Sequence, residues 1–360
     1  MIILVILFST LLILSNLLIL VKLKEDDDSL GNNRNSWLDF SLLIPFKNEG
    51  KNLIQLLKSI NKLDYPQKAY EILLINDNST DNFLQIIENN LESKVNFRLL
   101  TPINKKLPAK KGALDFGLKN SKNNFIITTD ADAILPQSIL KIYSNKFHQD
   151  YDILFGPTHL ICNNSFAGRL SQFYNLRNQI LIFSASKCRI PYSAMGSNLS
   201  YKKESFLKLG GYENFSEVIS GDDDLLIREG IKNNLKVGSI LSKDLLVKSN
   251  TVNTFKEFLN QKARHTATSN YYLLKHQILL SVWHLINIFS LFSPIFMIMD
   301  SIFAIPFILK IIFDIMIIKS KEKIFEYKFT FLEVIKFQII YEILLIVNYI
   351  NGSLKRYNWK

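Results

Sequence analysis

Apolar and polar positions along this chain fall into blocks of two lengths. The short blocks are Phe40-Ser41-Leu42-Leu43-Ile44-Pro45, Glu71-Ile72-Leu73-Leu74-Ile75 and Asn124-Phe125-Ile126-Ile127. Each has the length and continuity of a buried parallel strand. Each ends in a polar cluster: Phe46-Lys47-Asn48-Glu49, Asn76-Asp77-Asn78-Ser79-Thr80-Asp81, and Thr128-Thr129-Asp130-Ala131-Asp132-Ala133. Stretches of helical period lie between them. Asn48 to Asn61 puts Leu53, Leu56, Leu57 and Ile60 on one face. Pro136 is expected to open another helix, at a favoured first-turn position. Phe166 to Ser186 reads as a long helix apolar on one face, and Phe255 to Leu274 as an amphipathic one. Strand–helix alternation predicts an α/β domain, a mostly parallel sheet with helices on both faces.

The long blocks are of another kind. Met1 to Val21 has no charged side chain and is long enough to span a bilayer, followed by Lys22 and Lys24. Ile278 to Met299 is a second uncharged run. Ser301 to Ile318 is interrupted by Lys310 and Asp314, and Phe329 to Ile350 by Glu333, Lys336 and Glu342. Ionisable groups at membrane depth are costly and face protein or water. The last two runs are therefore expected to be tilted, re-entrant or interfacial.

Composition supports membrane segments. An apolar content of 48% with 26 phenylalanines in 360 residues exceeds what a soluble core needs. A cleaved signal peptide fits poorly, because no basic region precedes the first run and no small-x-small site follows it. The formal net charge is +11. Its lysines and arginines are scattered through loops and flank the apolar runs, the pattern of a protein at an anionic bilayer. No zinc-finger spacing or aromatic RNA-binding motif is present, so no nucleic-acid partner is expected. Cys162 and Cys188 give no disulfide framework. The five histidines have no metal-ligand spacing, and neither G-x-G-x-x-G nor the Walker A pattern occurs.

Asp130 and Asp132 carry the clearest chemistry. Residues two apart share one side of a strand, so both carboxylates point the same way from a strand's C-terminal end. Such a pair suits Mg²⁺ or Mn²⁺ shared with phosphate oxygens. A solvated acidic turn is the competing reading of an isolated D-x-D. Ligands of open α/β sheets bind at this edge.

Taken in order, these segments resemble the family-2 glycosyltransferases with a GT-A fold. That family has an "IIIPxxNE" strand, a "VDDxSxD" strand, a Lys-containing segment and a D-x-D strand, all matched within residues 40–133. Downstream, Met195-Gly196-Ser197-Asn198-Leu199-Ser200-Tyr201 resembles "GxNxAxR". Gly210-Gly211-Tyr212 resembles "GGF", Gly221-Asp222-Asp223-Asp224-Leu225-Leu226-Ile227-Arg228 resembles "TEDxDLxxR", and Gln261-Lys262-Ala263-Arg264-His265 resembles "QxxRW". The resemblance covers roughly residues 38–270.

It implies an inverting, metal-dependent sugar transferase using a nucleoside-diphosphate sugar, UDP- or GDP-linked. Asp132 is the main expected ligand of Mg²⁺ or Mn²⁺, with Asp130 on the metal or the ribose. Pro45, Asn48, Glu49, Asp77, Asp81 and Lys110 are expected around the nucleotide sugar. Asn76 stands for the first Asp of the "DD" pair, and Asp115 for the Asn of "KxxALN". Alignment on Arg228 puts Asp222 at the catalytic base, with Asp223 the close alternative. Three adjacent aspartates repel, which should raise at least one pKa. A helix N-terminus decorated with acids is the plainer account. Asn198, Gln261, Arg264 and His265 are expected near the acceptor or diphosphate. His265 replaces the family's Trp and offers less area for stacking on a sugar, which favours one or few transfers over long processive synthesis.

The expected organisation is an anchor (1–21), a linker (22–37), a catalytic domain (38–254), an interfacial helix (255–277), membrane segments (278–350) and a tail (351–360). Nucleotide sugars are mostly cytosolic, so the catalytic domain is expected on the cytosolic face of the cell membrane, and Lys22 and Lys24 agree. The acceptor would be a lipid, a lipid-linked glycan or a polysaccharide. Lys355, Arg356 and Lys360 oppose a full fourth span. Two alternatives stand: a non-catalytic nucleotide-sugar-binding subunit of an export complex, and a nucleotidyltransferase-like enzyme on the same fold.

Overall fold

A computed structural model describes residues 2–26, 36–162, 164–216, 218, 220–252 and 254–354. Most of the expected linker, and Lys355, Arg356 and Lys360, lie outside the described residues. Helix α1 spans Ile2–Lys22. The α/β segment then runs β1 (Phe40–Phe46), α2 (Gly50–Ile60), β2 (Tyr70–Asn76), α3 (Phe83–Asn90), β3 (Phe97–Leu100), α4 (Ala109–Asn120), β4 (Phe125–Thr128), α5 (Ile139–Phe147), β5 (Ile153–Phe155) and β6 (Thr158–Ile161). After α6 (Phe166–Lys187) come β7 (Leu199–Lys202), α7 (Lys203–Lys208), α8 (Asp224–Lys232), β8 (Val237–Ser239) and β9 (Val247–Asn250). The chain closes with α9 (Phe255–Thr268), α10 (Leu274–Phe292), α11 (Ala304–Lys321) and α12 (Phe331–Ser353).

Two compact units result. One comprises residues 25–161 and 189–250, the other residues 1–24, 162–188 and 251–360. Helix α6, drawn from within the stretch read as one catalytic domain, falls in the second. It lacks the single apolar face expected of it, because most of its residues are buried.

The first unit is built on a seven-stranded sheet of order β3-β2-β1-β4-β7-β5-β8. Strands β3, β2, β1 and β4 are parallel neighbours, and β7 runs antiparallel to both β4 and β5. Strands β1 and β2 are buried along their whole length, which explains their unbroken apolar runs. Phe40, Leu42 and Ile44 join a core with Leu53, Leu56 and Leu57 of α2 and Tyr143 of α5. Helix α4 approaches β1 and β2 closely through Gly117, where a Cβ would lie 2.3 Å from Ile75 Cδ1. Pro136 does not begin α5; Ser138 is its N-cap, and the Pro136 carbonyl accepts from Ile139 N–H at 3.2 Å in the preceding turn.

In the second unit three helices among the described residues are long and apolar enough to cross a membrane: Ile2–Lys22, Leu274–Ile298 and Ser301–Lys321. Lys321 Nζ donates to the carbonyls of Leu20 at 3.2 Å and Leu23 at 2.6 Å, so the basic ends of α1 and α11 meet. Three of the charges that interrupt the later apolar runs, Lys310, Asp314 and Glu342, turn towards each other. Lys310 Nζ lies 2.9 Å from Asn287 Oδ1, 3.0 Å from Glu342 Oε1 and 3.0 Å from Asp314 Oδ2. Their burial is tolerable because each charge meets an opposite one.

Candidate active site

The C-terminal ends of β1, β2 and β4 deliver their polar clusters to one edge of the sheet. Asn48, at φ 55°, accepts the Thr80 N–H on its Oδ1 at 2.8 Å and donates its own N–H to Ser79 Oγ at 3.0 Å. These bonds clamp the loop after β1 to the loop after β2. Asp81 Oδ2 accepts Gly50 N–H at 2.7 Å, satisfying an orphan donor of α2. Its Oδ1 is buried without a hydrogen-bond partner. Asp77 forms an ion pair with Lys105, a residue sequence reading passed over. The signal was its loop, which leads from β3 into α4 at the same sheet edge. Pro45 is buried inside β1 opposite Ile75, so it shapes the edge from within.

Strand β4 ends at Thr128, so Asp130 and Asp132 project from the turn beyond it. Thr129 Oγ1 donates to the Ser197 carbonyl at 2.8 Å and Thr128 Oγ1 to that of Gly196 at 3.3 Å. These hydroxyls bring the 195–198 segment alongside. Burial, then the charges of Asp130 and Glu49, push the Asp132 carboxyl up to about 7, against the pull of Lys110. The group is short of positive charge.

Lys110 is the hub. Its Nζ lies 2.7 Å from Asp130 Oδ1 and 3.4 Å from Asp222 Oδ2. Burial lowers its pKa, but Asp130, Asp222 and Asp223 together outweigh that and leave it raised. Beside it Lys111 is 1% exposed and donates to the Val218 carbonyl, just before the acidic segment. Burial pulls its ammonium down to about 8 despite Asp222 and Asp223. Its adjacency to Lys110 in the sequence did not mark it.

Among the three aspartates, Asp223 caps α8, accepting Asp224 N–H on its own Oδ1 at 2.8 Å. Burial and its two neighbours raise its pKa well above the carboxylate range. Gly196 packs on it: a Cβ there would lie 2.7 Å from Asp223 Oδ2. Asp224 accepts from Ser193 Oγ at 2.5 Å. Asp222 faces Lys110, with 17% of its side chain exposed.

Other expected residues lie elsewhere. Asn198 is fully buried, its Nδ2 donating to the carbonyls of Pro157 and Leu245, both at 2.8 Å. Its Oδ1 accepts from Tyr143 Oη, also at 2.8 Å. With its amide committed, it ties strands together and presents nothing to an acceptor. Asp115 pairs with Lys119 one helical turn away at 2.7 Å. Gln261, Arg264 and His265 lie on α9 in the helical unit, on the side opposed to buried Lys262 and Ala263. Lys262 stands 5.0 Å over the Tyr174 ring.

No trio of His, Cys, Asp or Glu among the described residues forms a ready metal cage. The donor set is instead paired carboxylates in an acid-rich cluster, which fits a hard divalent cation completing its shell with phosphate and water.

Residues 41–210 match the family model described as Glycosyl transferase family 2. A probable glycosyltransferase of Sulfolobus acidocaldarius is 34% identical over 178 residues, covering 48% of this chain and 38% of that protein. The probable glycosyltransferase YdaM of Bacillus subtilis is 28% identical over 198 residues, 52% of this chain and 46% of that one. A Methanococcus voltae enzyme, a dolichyl N-acetyl-α-D-glucosaminyl phosphate 3-β-D-2,3-diacetamido-2,3-dideoxy-β-D-glucuronosyltransferase, is 34% identical over 101 residues, 28% of this chain and 31% of the enzyme. The chain thus spans under half the length of each of these relatives. Among solved structures, the mannosyltransferase PcManGT of Pyrobaculum calidifontis, in complex with GDP-Man and Mn²⁺, superposes with a TM-score of 0.56 at 14% identity, covering 97% of this chain and 99% of that one. Residues 41–210 are thus similar to a family-2 glycosyltransferase domain, and the fold is shared with the Pyrobaculum mannosyltransferase.

Proposed function

We propose, with a family-2 glycosyltransferase domain as premise, that this chain transfers one sugar from a nucleoside-diphosphate sugar to a hydroxyl of a lipid or lipid-linked glycan. Transfer inverts the anomeric centre. The observation that carries this reading is Lys110, held at 2.7 Å from Asp130 and 3.4 Å from Asp222. One cation gathers the carboxylate of the D-x-D turn and the acidic segment. A donor diphosphate and an attacking hydroxyl would therefore meet within a few ångströms.

Asp132 and Asp130 would hold Mg²⁺ or Mn²⁺, which when bound supplies positive charge to the leaving diphosphate. Lys110 adds a second cation there. Asp77, Asp81, Asn48 and Glu49 line the nucleoside side, with Lys105 fixing the Asp77 carboxylate. Asp222 takes the acceptor's proton as its oxygen bonds to the anomeric carbon and the bond to the diphosphate oxygen breaks. General-base help of this kind is worth about 10² to 10⁴ in rate. Asp223, pinned at the start of α8, orients the segment. GDP-Man in the Pyrobaculum structure and lipid-linked chemistry in the Methanococcus name support a nucleoside-diphosphate sugar and a lipid-borne acceptor. The sheet-bearing unit faces the cytosol, where donors are made.

The test is a screen of nucleotide sugars for transfer and hydrolysis by detergent-solubilised protein with Mg²⁺ or Mn²⁺. Turnover of one donor, lost in Asp222→Asn with donor binding retained, is expected. Donor binding with no turnover of any donor would overturn the enzymatic reading in favour of a binding subunit.

A further inference from the structure

Helix α12, Phe331–Ser353, has 23 residues and is about 34 Å long, enough to cross a bilayer. Where its two ends lie decides whether it does. Leu274–Ile298 and Ser301–Lys321 are the limbs of a hairpin, joined at Met299 and Asp300 and bridged by Lys310 and Asn287. The start of α10 and the end of α11 therefore share one side. The end of α1 is there too, because Lys321 holds the carbonyls of Leu20 and Leu23.

Both ends of α12 are tied to that side. Just before its start, Phe329 N–H donates to Glu322 Oε2 and the Phe329 carbonyl accepts from Lys319 Nζ, both at 2.8 Å. At its end Gly352 meets the backbone of α9, where a Cβ would lie 2.9 Å from the Ala263 carbonyl oxygen and 3.1 Å from Ala267 N. The turn that closes α9 is in turn held to α10: Gln277 Nε2 donates to the carbonyls of Asn270 at 2.9 Å and Tyr272 at 3.1 Å. A crossing α12 would carry Gly352 about 30 Å from the level of Phe331, to the far side. Contact with α9 keeps it near the start of α10 instead. Lys310 still reaches Glu342 at the middle of α12, because its flexible stem lets the ammonium travel towards the surface.

The faces of α12 differ. Inwards, Phe337 packs 5.6 Å from Phe173 and Tyr341 4.7 Å from Tyr174, ring centre to ring centre. Outwards, Leu332, Ile339, Ile343, Ile346 and Ile350 form one exposed stripe along the helix. Such a row is unusual against water. It runs along the level from which α10 and α11 leave for the bilayer, so lipid is the neighbour it fits. Lys355, Arg356 and Lys360 follow in the sequence, and basic residues favour the side that holds Lys22 and Lys319.

We propose that α12 does not cross the membrane but lies in its surface plane, with the Leu332–Ile350 stripe in the boundary between headgroups and acyl chains. Through Gly352 it seats α9 at the same surface. This rests on α10 and α11 as membrane spans and not on the transfer reaction, so it can fail while the glycosyltransferase reading survives.

The test places a single nitroxide on full-length protein in phosphatidylcholine–phosphatidylglycerol vesicles. Cys162 and Cys188 are first replaced by Ser, and the labels go on Leu332→Cys, Ile339→Cys, Ile343→Cys and Ile350→Cys in turn. All four positions are exposed, so the labels do not threaten folding. Relaxation by oxygen and by a nickel chelate reports depth. The four depths should agree within about 5 Å and lie about 5 to 10 Å below the headgroups. A crossing helix would instead put Ile343 about 16 Å deeper than Leu332, which overturns the proposal. Labels shielded from both reagents also overturn it, because protein and not lipid would then cover the stripe. Protease protection gives an independent reading: tags before Met1 and after Lys360 should lie on opposite faces of the vesicle, and tags on one face refute an in-plane α12.

Discussion

Replacing Lys110 by Gln should separate its two roles, because they push metal and donor affinity in opposite directions. The lysine shares its charge between Asp130 at 2.7 Å and Asp222 at 3.4 Å, with 30% of its own side chain and 41% of Asp130's exposed. Exposure of that degree puts each pair near the surface regime, about 1 kcal/mol or less. Removing the cation leaves the acidic cluster about 1 to 1.4 kcal/mol more attractive to another cation. That corresponds to Mn²⁺ binding about five- to tenfold more tightly without nucleotide. The nucleotide sugar should behave in reverse, since its diphosphate loses a positive partner. Turnover should fall by an order of magnitude or more, and Lys110→Arg should recover part of it. Free Mn²⁺ counted by electron paramagnetic resonance gives the first quantity, and transfer kinetics the second. Unchanged or weaker Mn²⁺ binding in folded Lys110→Gln would refute the assignment of Lys110 as the cation that balances these carboxylates.

Asp132→Asn should abolish divalent-dependent binding of nucleoside diphosphate in calorimetry, since the cation loses a charged ligand while phosphate repulsion remains. Asp222→Asn should cut turnover by about two orders of magnitude with donor affinity near normal; the same loss from Asp223→Asn alone would move the base by one residue. Gly196→Ala, whose Cβ would sit 2.7 Å from Asp223 Oδ2, should displace the acidic segment and lower turnover in a protein of ordinary thermal stability. Lys111 gives a pH signature, because burial lowers its ammonium to about 8 in the folded state, below the unfolded value. The unfolded chain therefore binds more protons between about pH 8 and 10.4, and stability from this group rises with pH across that window. Thermal inactivation in detergent at pH 8 and 9.5 should show that rise in the wild type and not in Lys111→Met.

Local periodicity alone determined the strands β1, β2 and β4, the helices after them, the apolar runs long enough for a membrane and the edge where the D-x-D turn emerges. Those features depend on neighbours within a few residues, and an unbroken apolar run between polar clusters has few other ways to be buried. Partnerships between distant segments needed the tertiary structure. The loop that carries Lys105 points to its sheet edge but not to Asp77 as its partner, and nothing local to Lys110 says that it holds Asp130 and Asp222 together. Asn198 looked like a ligand contact by its motif, yet the folded chain commits its amide to Pro157, Leu245 and Tyr143. Lys310, Asp314 and Glu342 read as flaws in membrane segments until packing turned them on one another. A charge's role depends on what faces it across space, and sequence spacing fixes that only within one helix or strand.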